Sequence, residues 1–319
     1  MEYRPLGSTG LEVSALAYGA SSLGGVFGSI DDSAGIAAVR KALDLGVNLI
    51  DVSPYYGLTV AETVLGRALH GVDRATYLLA TKVGRYGDAS FDFSAERVVA
   101  SAHESMQRLG VDYLDILQCH DIEFGDLDQI LDETLPALEK LRTAGVARFI
   151  GVTGFPVPAL AFVAERYRLD TVMSYCNYTV QSRALAPWLE TFDALGVGVM
   201  NASPLGMGLL TNRGAPAWHP APAPVVDACT KAAALCAARG SDIAKLAVQF
   251  CLQAPVATTV IGSADPANME RNIGWIDEDI DLELLRDVEV LFEPVRDVGW
   301  VNGRLSNAYP NGVVEGVEL

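Results

Sequence analysis

Eight short apolar runs, rich in Val, Ile and Leu and without polar alternation, punctuate the chain, and each is followed by a stretch with helical spacing. They are Leu16–Gly19, Asn48–Val52, Tyr77–Thr81, Leu114–Cys119, Phe149–Val152, Val172–Tyr175, Gly198–Asn201 and Thr259–Ile261. A strand with one wet face alternates apolar and polar residues. A run that does not alternate must be covered on both faces, as in a parallel sheet flanked by helices. Eight strand–helix units within about 250 residues match a (β/α)8 TIM barrel better than two open sheets.

The helical stretches carry their own start and stop signals. Asp31–Leu45 opens on the cap candidates Asp31, Asp32 and Ser33 and closes at Gly46. Ser94–Leu109 opens on Ser94 and closes at Gly110, and Leu127–Ala144 closes at Gly145. Ala61–Leu69, Pro158–Tyr167, Ala184–Ala194, Asp242–Leu252 and Pro266–Ile273 complete the set, with Val225–Ala238 and Leu282–Phe292 as extra helices. Before the first run, Tyr3–Leu6 and Leu11–Val13 flank Gly7-Ser8-Thr9-Gly10 and read as an N-terminal β-hairpin. No linker or composition break divides residues 1–319, so a single barrel domain is expected. The longest insertion, 212–224, is rich in proline, follows the seventh run, and is a candidate lid.

Composition bears on partners. The chain is half apolar, enough for a large core, and its formal net charge is −17. Such a surface repels phosphate backbones and anionic membranes, so neither nucleic acid nor a membrane is expected as a partner. The start, Met1-Glu2-Tyr3-Arg4-Pro5, lacks the basic and apolar regions of a signal peptide. The cysteines, Cys119, Cys176, Cys229, Cys236 and Cys251, are odd in number and form no CxxC pair. That usage fits a reducing cytoplasm and argues against a zinc site or a disulfide framework. No metal is expected. The sequence sets no oligomeric state.

In a barrel, chemistry sits at the C-terminal strand ends. The second strand ends in Asp51-Val52-Ser53-Pro54-Tyr55-Tyr56-Gly57, the third in Thr81-Lys82, the fourth in Cys119-His120-Asp121. An aspartate, a tyrosine, a lysine and a histidine thus reach one rim from adjacent strands. A phenol beside an ammonium has a stabilised phenolate and exchanges a proton with an alcohol or carbonyl oxygen more readily. A carboxylate keeps the ammonium charged, and an imidazole orients the substrate oxygen. Nothing here supplies a nucleophile or a metal cage, so hydride transfer with a bound cofactor is the natural partner reaction. Cys119 is adjacent to His120 on a strand and should face the opposite way, into the helix layer.

With these residues in place the chain resembles the aldo-keto reductases, from Leu6 to about Asn302. Leu6-Gly7-Ser8-Thr9-Gly10-Leu11-Glu12-Val13-Ser14 is similar to the family's opening hairpin, and Asp51, Tyr56, Lys82 and His120 match its catalytic tetrad one by one. The resemblance implies Tyr56 as general acid/base, Lys82 and Asp51 as its tuners, and His120 as the residue that orients the substrate oxygen. Within the family the chain is most similar to the L-galactose dehydrogenases, with the L-fucose (D-threo-aldose) dehydrogenases close behind. The stretches that carry this likeness include Gly24-Gly25-Val26-Phe27-Gly28, Phe91-Asp92-Phe93-Ser94, Cys119-His120-Asp121-Ile122-Glu123-Phe124-Gly125 and Ala217-Trp218-His219-Pro220.

The family places its nicotinamide at the ends of strands five to seven, here Thr153-Gly154, Ser174 and Ala202-Ser203. Two departures stand out. The usual Ser-Asn amide clamp is Thr153-Gly154, and the aromatic platform is Ala202. Ala20, Asp51, Leu205, Gly208, Ile261, Ser263 and Asn272 are the further cofactor contacts the resemblance implies. NADP-using relatives hold the 2′-phosphate with a Lys and an Arg after strand eight. Gly262 and Asn268 stand at those positions, with Asp265 nearby. A dianion there lacks a charge partner, so NAD is the expected cofactor, with Arg271 as the one nearby cation.

The expected reaction is oxidation of an aldose at C1 to its lactone, L-galactose first. Alternatives are the same chemistry on L-fucose, D-arabinose or a non-sugar such as pyridoxal, and a non-catalytic cofactor-binding regulatory barrel. A pyranose needs hydrogen-bond partners and an apolar face. Beside Tyr56 and His120, the candidates are Asp121, Glu123, Tyr178 and Trp300, with Asp121 favoured because it adjoins His120.

Overall fold

In the computed structural model, which describes residues 1–26, 28 and 30–310, eight parallel strands close on themselves. Phe27 of the glycine-rich stretch lies outside the described residues. A two-stranded antiparallel hairpin, β1 (Tyr3–Pro5) and β2 (Glu12–Ser14), precedes the barrel. The barrel strands are β3 (Leu16–Gly19), β4 (Leu49–Asp51), β5 (Leu78–Val83), β6 (Leu114–Cys119), β7 (Ala147–Gly154), β8 (Thr171–Tyr175), β9 (Gly198–Ala202) and β10 (Thr258–Ile261). Each pairs with its sequence neighbour, and β10 closes the ring by pairing with both β9 and β3.

The two layers of the core follow from the period of two along each strand. Ala17, Leu49, Ala80, Ile116, Met173, Met200 and Val260 point inward and pack on one another. Their neighbours, among them Leu79, Leu117, Val152 and Val172, face the helix ring. Leu6, Leu11 and Val13 of the hairpin join the inner cluster, so the hairpin plugs the N-terminal end of the barrel. It is tied down where Ser8 donates from both its amide and its hydroxyl to the Gly196 carbonyl.

Several helices begin where an acidic side chain satisfies their free amides. Asp31 accepts from the Ser33 amide, Asp242 from Ala244, and Asp281 from Glu283 and Leu284. Two helices differ in form from the expectation. Ala184–Ala194 is a 3-10 turn, Ala186–Trp188, followed by the short α-helix Leu189–Ala194. The single helix read over Leu127–Ala144 consists of Leu127–Gln129, a wider π turn over Ile130–Thr134, and Leu135–Thr143. Pro136 lies just past the π turn and has no amide hydrogen to donate, so a regular ladder cannot run through this position. The extra helices Ala223–Ala238 and Leu282–Phe292 pack together with Ile243–Leu252 as a second apolar cluster outside the barrel.

Candidate active site

The period-two rule brings the predicted chemistry to one place. On β5, Ala80 points inward, so Lys82 does too. The intervening Thr81 faces outward, where its hydroxyl donates to Glu62 of helix Val60–Leu69. On β6, Ile116 points inward and so, four residues on, does His120. Cys119 faces the helix layer, buried in the outer core, as expected. Asp51 ends β4 and pairs in register with Ala80.

Asp51 and Lys82 form a buried ion pair. Nζ of Lys82 donates to Asp51 Oδ2 at 2.6 Å and to the Val52 carbonyl at 2.9 Å. Tyr56 lies beside them, its ring 5.0 Å from the Lys82 ammonium. The approach of Tyr56 to the barrel depends on glycine. Gly57 has φ +62°, and a Cβ on it would sit 2.3 Å from the Gly24 carbonyl oxygen, so the two backbones fit only without a side chain. The His120 ring stands edge-on to Tyr56 with centroids 5.8 Å apart.

Ser53 fixes the imidazole. Its Oγ lies 2.9 Å from His120 Nδ1 and accepts from the Tyr55 amide. In the tautomer in which this hydroxyl donates to Nδ1, the ring proton sits on Nε2. Burial, with Lys82 and Arg85 nearby, holds the His120 pKa well below the usual imidazole value, so the ring is neutral at neutral pH. The Tyr56 phenol departs from expectation in direction. Burial is the largest cause, Asp51 and Asp121 add to it, and the pKa stands well above the ordinary value despite Arg85. Before any ligand enters, Tyr56 is a neutral phenol.

Asp121, immediately after β6, has a left-handed backbone (φ +50°) and is held by the Thr153 hydroxyl, which accepts from its amide. Its carboxylate pairs with Arg85 at 2.5 Å, and the Arg85 guanidinium lies 3.8 Å over the Tyr55 ring. Ser203, just past β9, and Cys176, just past β8, also turn through positive φ. Strained turns at three strand ends mark this face as the one shaped for function.

These groups lie in a cleft of about 1720 Å³ across the barrel mouth. Single small-molecule pockets run to roughly 1,000 Å³, so the cleft has room for a dinucleotide and a sugar together. Asp51, Tyr56, Lys82, His120, Asp121 and Trp300 line it. So do the expected cofactor contacts Thr153, Ser203, Leu205, Gly208, Ile261, Gly262, Ser263, Asn268 and Asn272. Ala20, Gly154 and Ser174 do not. Ala20 is fully buried in the outer core, and the Ser174 hydroxyl accepts from the Asn177 amide.

Tyr178 also lies off the cleft, stacked on Phe250 with centroids 5.5 Å apart. Glu123 is fully buried behind the wall rather than on it. Sequence reasoning did not single out Ser53, Arg85, Tyr175 or Asn302. Arg85 lies only three residues past Lys82 and shares its strand end. Asn302 arrives from the far end of the chain and carries no local signal.

The residues present fit a nicotinamide dinucleotide. Asp51 Oδ1, within the tetrad, is buried with no hydrogen-bond partner among the described residues. At the far end of the cleft, Ser263 and Asn268 present a polar edge at the N-terminus of helix Pro266–Gly274, which Asp265 caps. A Cβ on Gly262 would lie 1.7 Å from the Gly19 carbonyl oxygen, so no side chain can be placed there at all. Asn268 Oδ1 accepts from Arg271 at 2.5 Å.

A chain with this barrel and this tetrad belongs to a known class, and comparison bears that out. Residues 15–290 match the model of the aldo/keto reductase family, and the protein is a member of that family. It is similar to the L-galactose dehydrogenase of Arabidopsis thaliana, 46% identical over 95% of this chain and 98% of that one. A D-threo-aldose 1-dehydrogenase from a Pseudomonas species is 31% identical over 83% of this chain and 90% of that protein. Among solved structures, an aldo-keto reductase from Bacillus halodurans in its holo form superposes with a TM-score of 0.76 at 27% identity, covering 91% and 96% of the two chains. The protein is therefore an oxidoreductase, and aldo-keto reductases use nicotinamide cofactors.

Proposed function

We propose that the protein is an NAD-dependent aldose 1-dehydrogenase that oxidises L-galactose at C1 to the lactone. One observation carries the reading: a neutral imidazole, a phenol and a buried Lys–Asp pair converge on one point of a cleft large enough for two ligands. The 46% identity to an L-galactose dehydrogenase supports the choice of sugar.

Asp51, Tyr56, Lys82 and His120 carry the reaction. His120 donates from Nε2 to O1 of the sugar and fixes it beside Tyr56. Tyr56, as phenolate, takes the O1 proton. Lys82 holds positive charge next to that phenolate, and Asp51 holds Lys82 charged and in place. Thr153, Ser203 and Leu205 would hold a nicotinamide at this end of the cleft, and that group would supply the acceptor for the hydride leaving C1. Asp121 and Trp300 contact the sugar, with Asp121 aligned by Arg85. Ser263, Asn268 and Asn272 hold the adenosine end. NAD is favoured over NADP because Gly262 admits no basic side chain and Asp265 adds negative charge.

We place the protein in the cytoplasm, where its five free, buried cysteines stay reduced. Among the described residues no helix is long and apolar enough to cross a membrane. Segment 212–224 serves as a lid: the His219 ring packs edge-on against Trp300, with centroids 5.2 Å apart, and Trp300 stacks on Phe155.

A panel of L-galactose, L-fucose, D-arabinose and pyridoxal, followed at the NADH absorbance, tests the reading. L-Galactose with NAD is expected to give the highest kcat/KM. A tenfold preference for NADP overturns the cofactor assignment. No turnover of any aldose overturns the reaction and favours a cofactor-binding regulatory barrel.

A further inference from the structure

Among the described residues, Glu123 is the fully buried carboxyl at the barrel mouth that the proposed chemistry leaves unused. It follows β6 three residues after His120, and its side chain turns away from the cleft. Its Oε1 accepts from three donors: the Phe155 amide at 3.1 Å, the Tyr175 hydroxyl at 3.1 Å and the Asn302 amide at 2.8 Å. Its backbone carbonyl accepts from the Arg304 amide at 2.8 Å and from the Asn307 side chain at 2.9 Å. Asn307 also donates to the Gly125 carbonyl. One residue at a strand end thus holds Tyr175 of β8 and the segment 302–307 together, across more than 170 positions of sequence.

The consequence reaches the cleft through two side chains that do line it, Tyr175 and Asn302. Nδ2 of Asn302 donates to Glu123 Oε1 and, at 2.6 Å, to the Tyr175 hydroxyl. Both amide hydrogens are then committed. The amide's remaining capacity is Oδ1, an acceptor. A sugar hydroxyl is a donor that such an acceptor recognises. Trp300, two residues earlier, supplies the apolar face beside it, stacked on Phe155.

We propose that Glu123 is a positioning residue for substrate: through its hydrogen bonds to Asn302 and Tyr175 it presents the Asn302 amide oxygen to a hydroxyl of the sugar remote from C1. This rests on the aldose reading of the site for the ligand, but not for the anchoring. What Asn302 needs from Glu123 is an acceptor oxygen rather than a charge, so an amide in its place serves the same purpose and an apolar side chain does not.

Two measurements test this on the full-length protein. Amide hydrogen exchange of the Glu123→Leu variant is expected to rise over residues 300–308 and to stay unchanged in the barrel strands. Protection of 300–308 equal to wild type overturns the anchoring whatever the substrate. In steady-state kinetics, Glu123→Leu and Asn302→Leu each raise the KM for L-galactose about tenfold. The Kd for NAD stays within twofold of wild type. The double variant is no worse than the single ones, and Glu123→Gln stays within threefold of wild type. A KM for the sugar within twofold of wild type in Asn302→Leu overturns the proposal. So do additive effects in the double variant, or a Gln variant as impaired as the Leu variant. Should Glu123→Leu not fold, Asn302→Leu decides, since that side chain is only partly buried near the end of the chain. Absence of wild-type turnover on aldoses falls on the functional reading, while the exchange result still decides the anchoring.

Discussion

At the scale of single residues, the protonation state of Tyr56 governs the proposed proton transfer. A lysine next to a tyrosine in the sequence pattern suggests a lowered phenol pKa. In the folded chain, the Lys82 ammonium is bonded to Asp51 and to the Val52 carbonyl, and burial dominates the phenol. The sign sets a pH dependence. Oxidation needs the phenolate, and its fraction grows as pH rises toward a pKa above the ordinary 10. kcat/KM for the aldose should therefore climb from pH 6 to pH 10. His120 is neutral throughout, so no further limb is expected near pH 6.5. A flat profile above pH 7 contradicts this. Tyr56→Phe removes the proton acceptor and should lower kcat by about 10²–10⁴. Its circular dichroism should match wild type, since the ring stays; near-normal turnover refutes the role.

At the scale of elements, the end of β7 explains a departure from the family pattern. The amide clamp that the resemblance leads one to expect is missing, and Gly154 stands in its place. A Cβ at Gly154 would sit 2.7 Å from Glu123 Oε2, so the Glu123 carboxyl occupies the space a side chain would need. The sequence shows the glycine but not its reason, because Glu123 lies 31 positions away. Gly154→Asn should lower the melting temperature by several degrees, the cost of moving or crowding a buried carboxyl. Combining it with Glu123→Ala, which vacates the space, should recover part of that loss. A single Gly154→Asn variant as stable as wild type contradicts the packing argument. Some helix starts, by contrast, were legible: Asp31 and Ser94 cap the helices that their positions announce.

At the scale of the whole molecule, the barrel has a closed end and an open one. Leu6 is fully buried at the closed end, where the hairpin seals the inner layer. Leu6→Ala should cost about 2–5 kcal/mol in unfolding by denaturant. kcat and KM should stay close to wild type, because the cleft lies at the opposite face. A large loss of kcat without loss of stability would contradict that separation of the two ends.

The sequence alone determined the eightfold strand–helix succession, the hairpin, the Asp31 and Ser94 helix starts and the strand ends that carry Asp51, Tyr56, Lys82 and His120. Each of these rests on a local signal: an unbroken apolar run, a period of 3.6, a capping side chain, or a residue placed at a strand end. The tertiary structure decided the direction of the Tyr56 pKa, the exclusion of Tyr178 and Glu123 from the cleft, and the meeting of Glu123 with Asn302. Those depend on burial and on contacts between residues far apart in the chain. No window of sequence contains both partners, and only closure of the barrel brings them together.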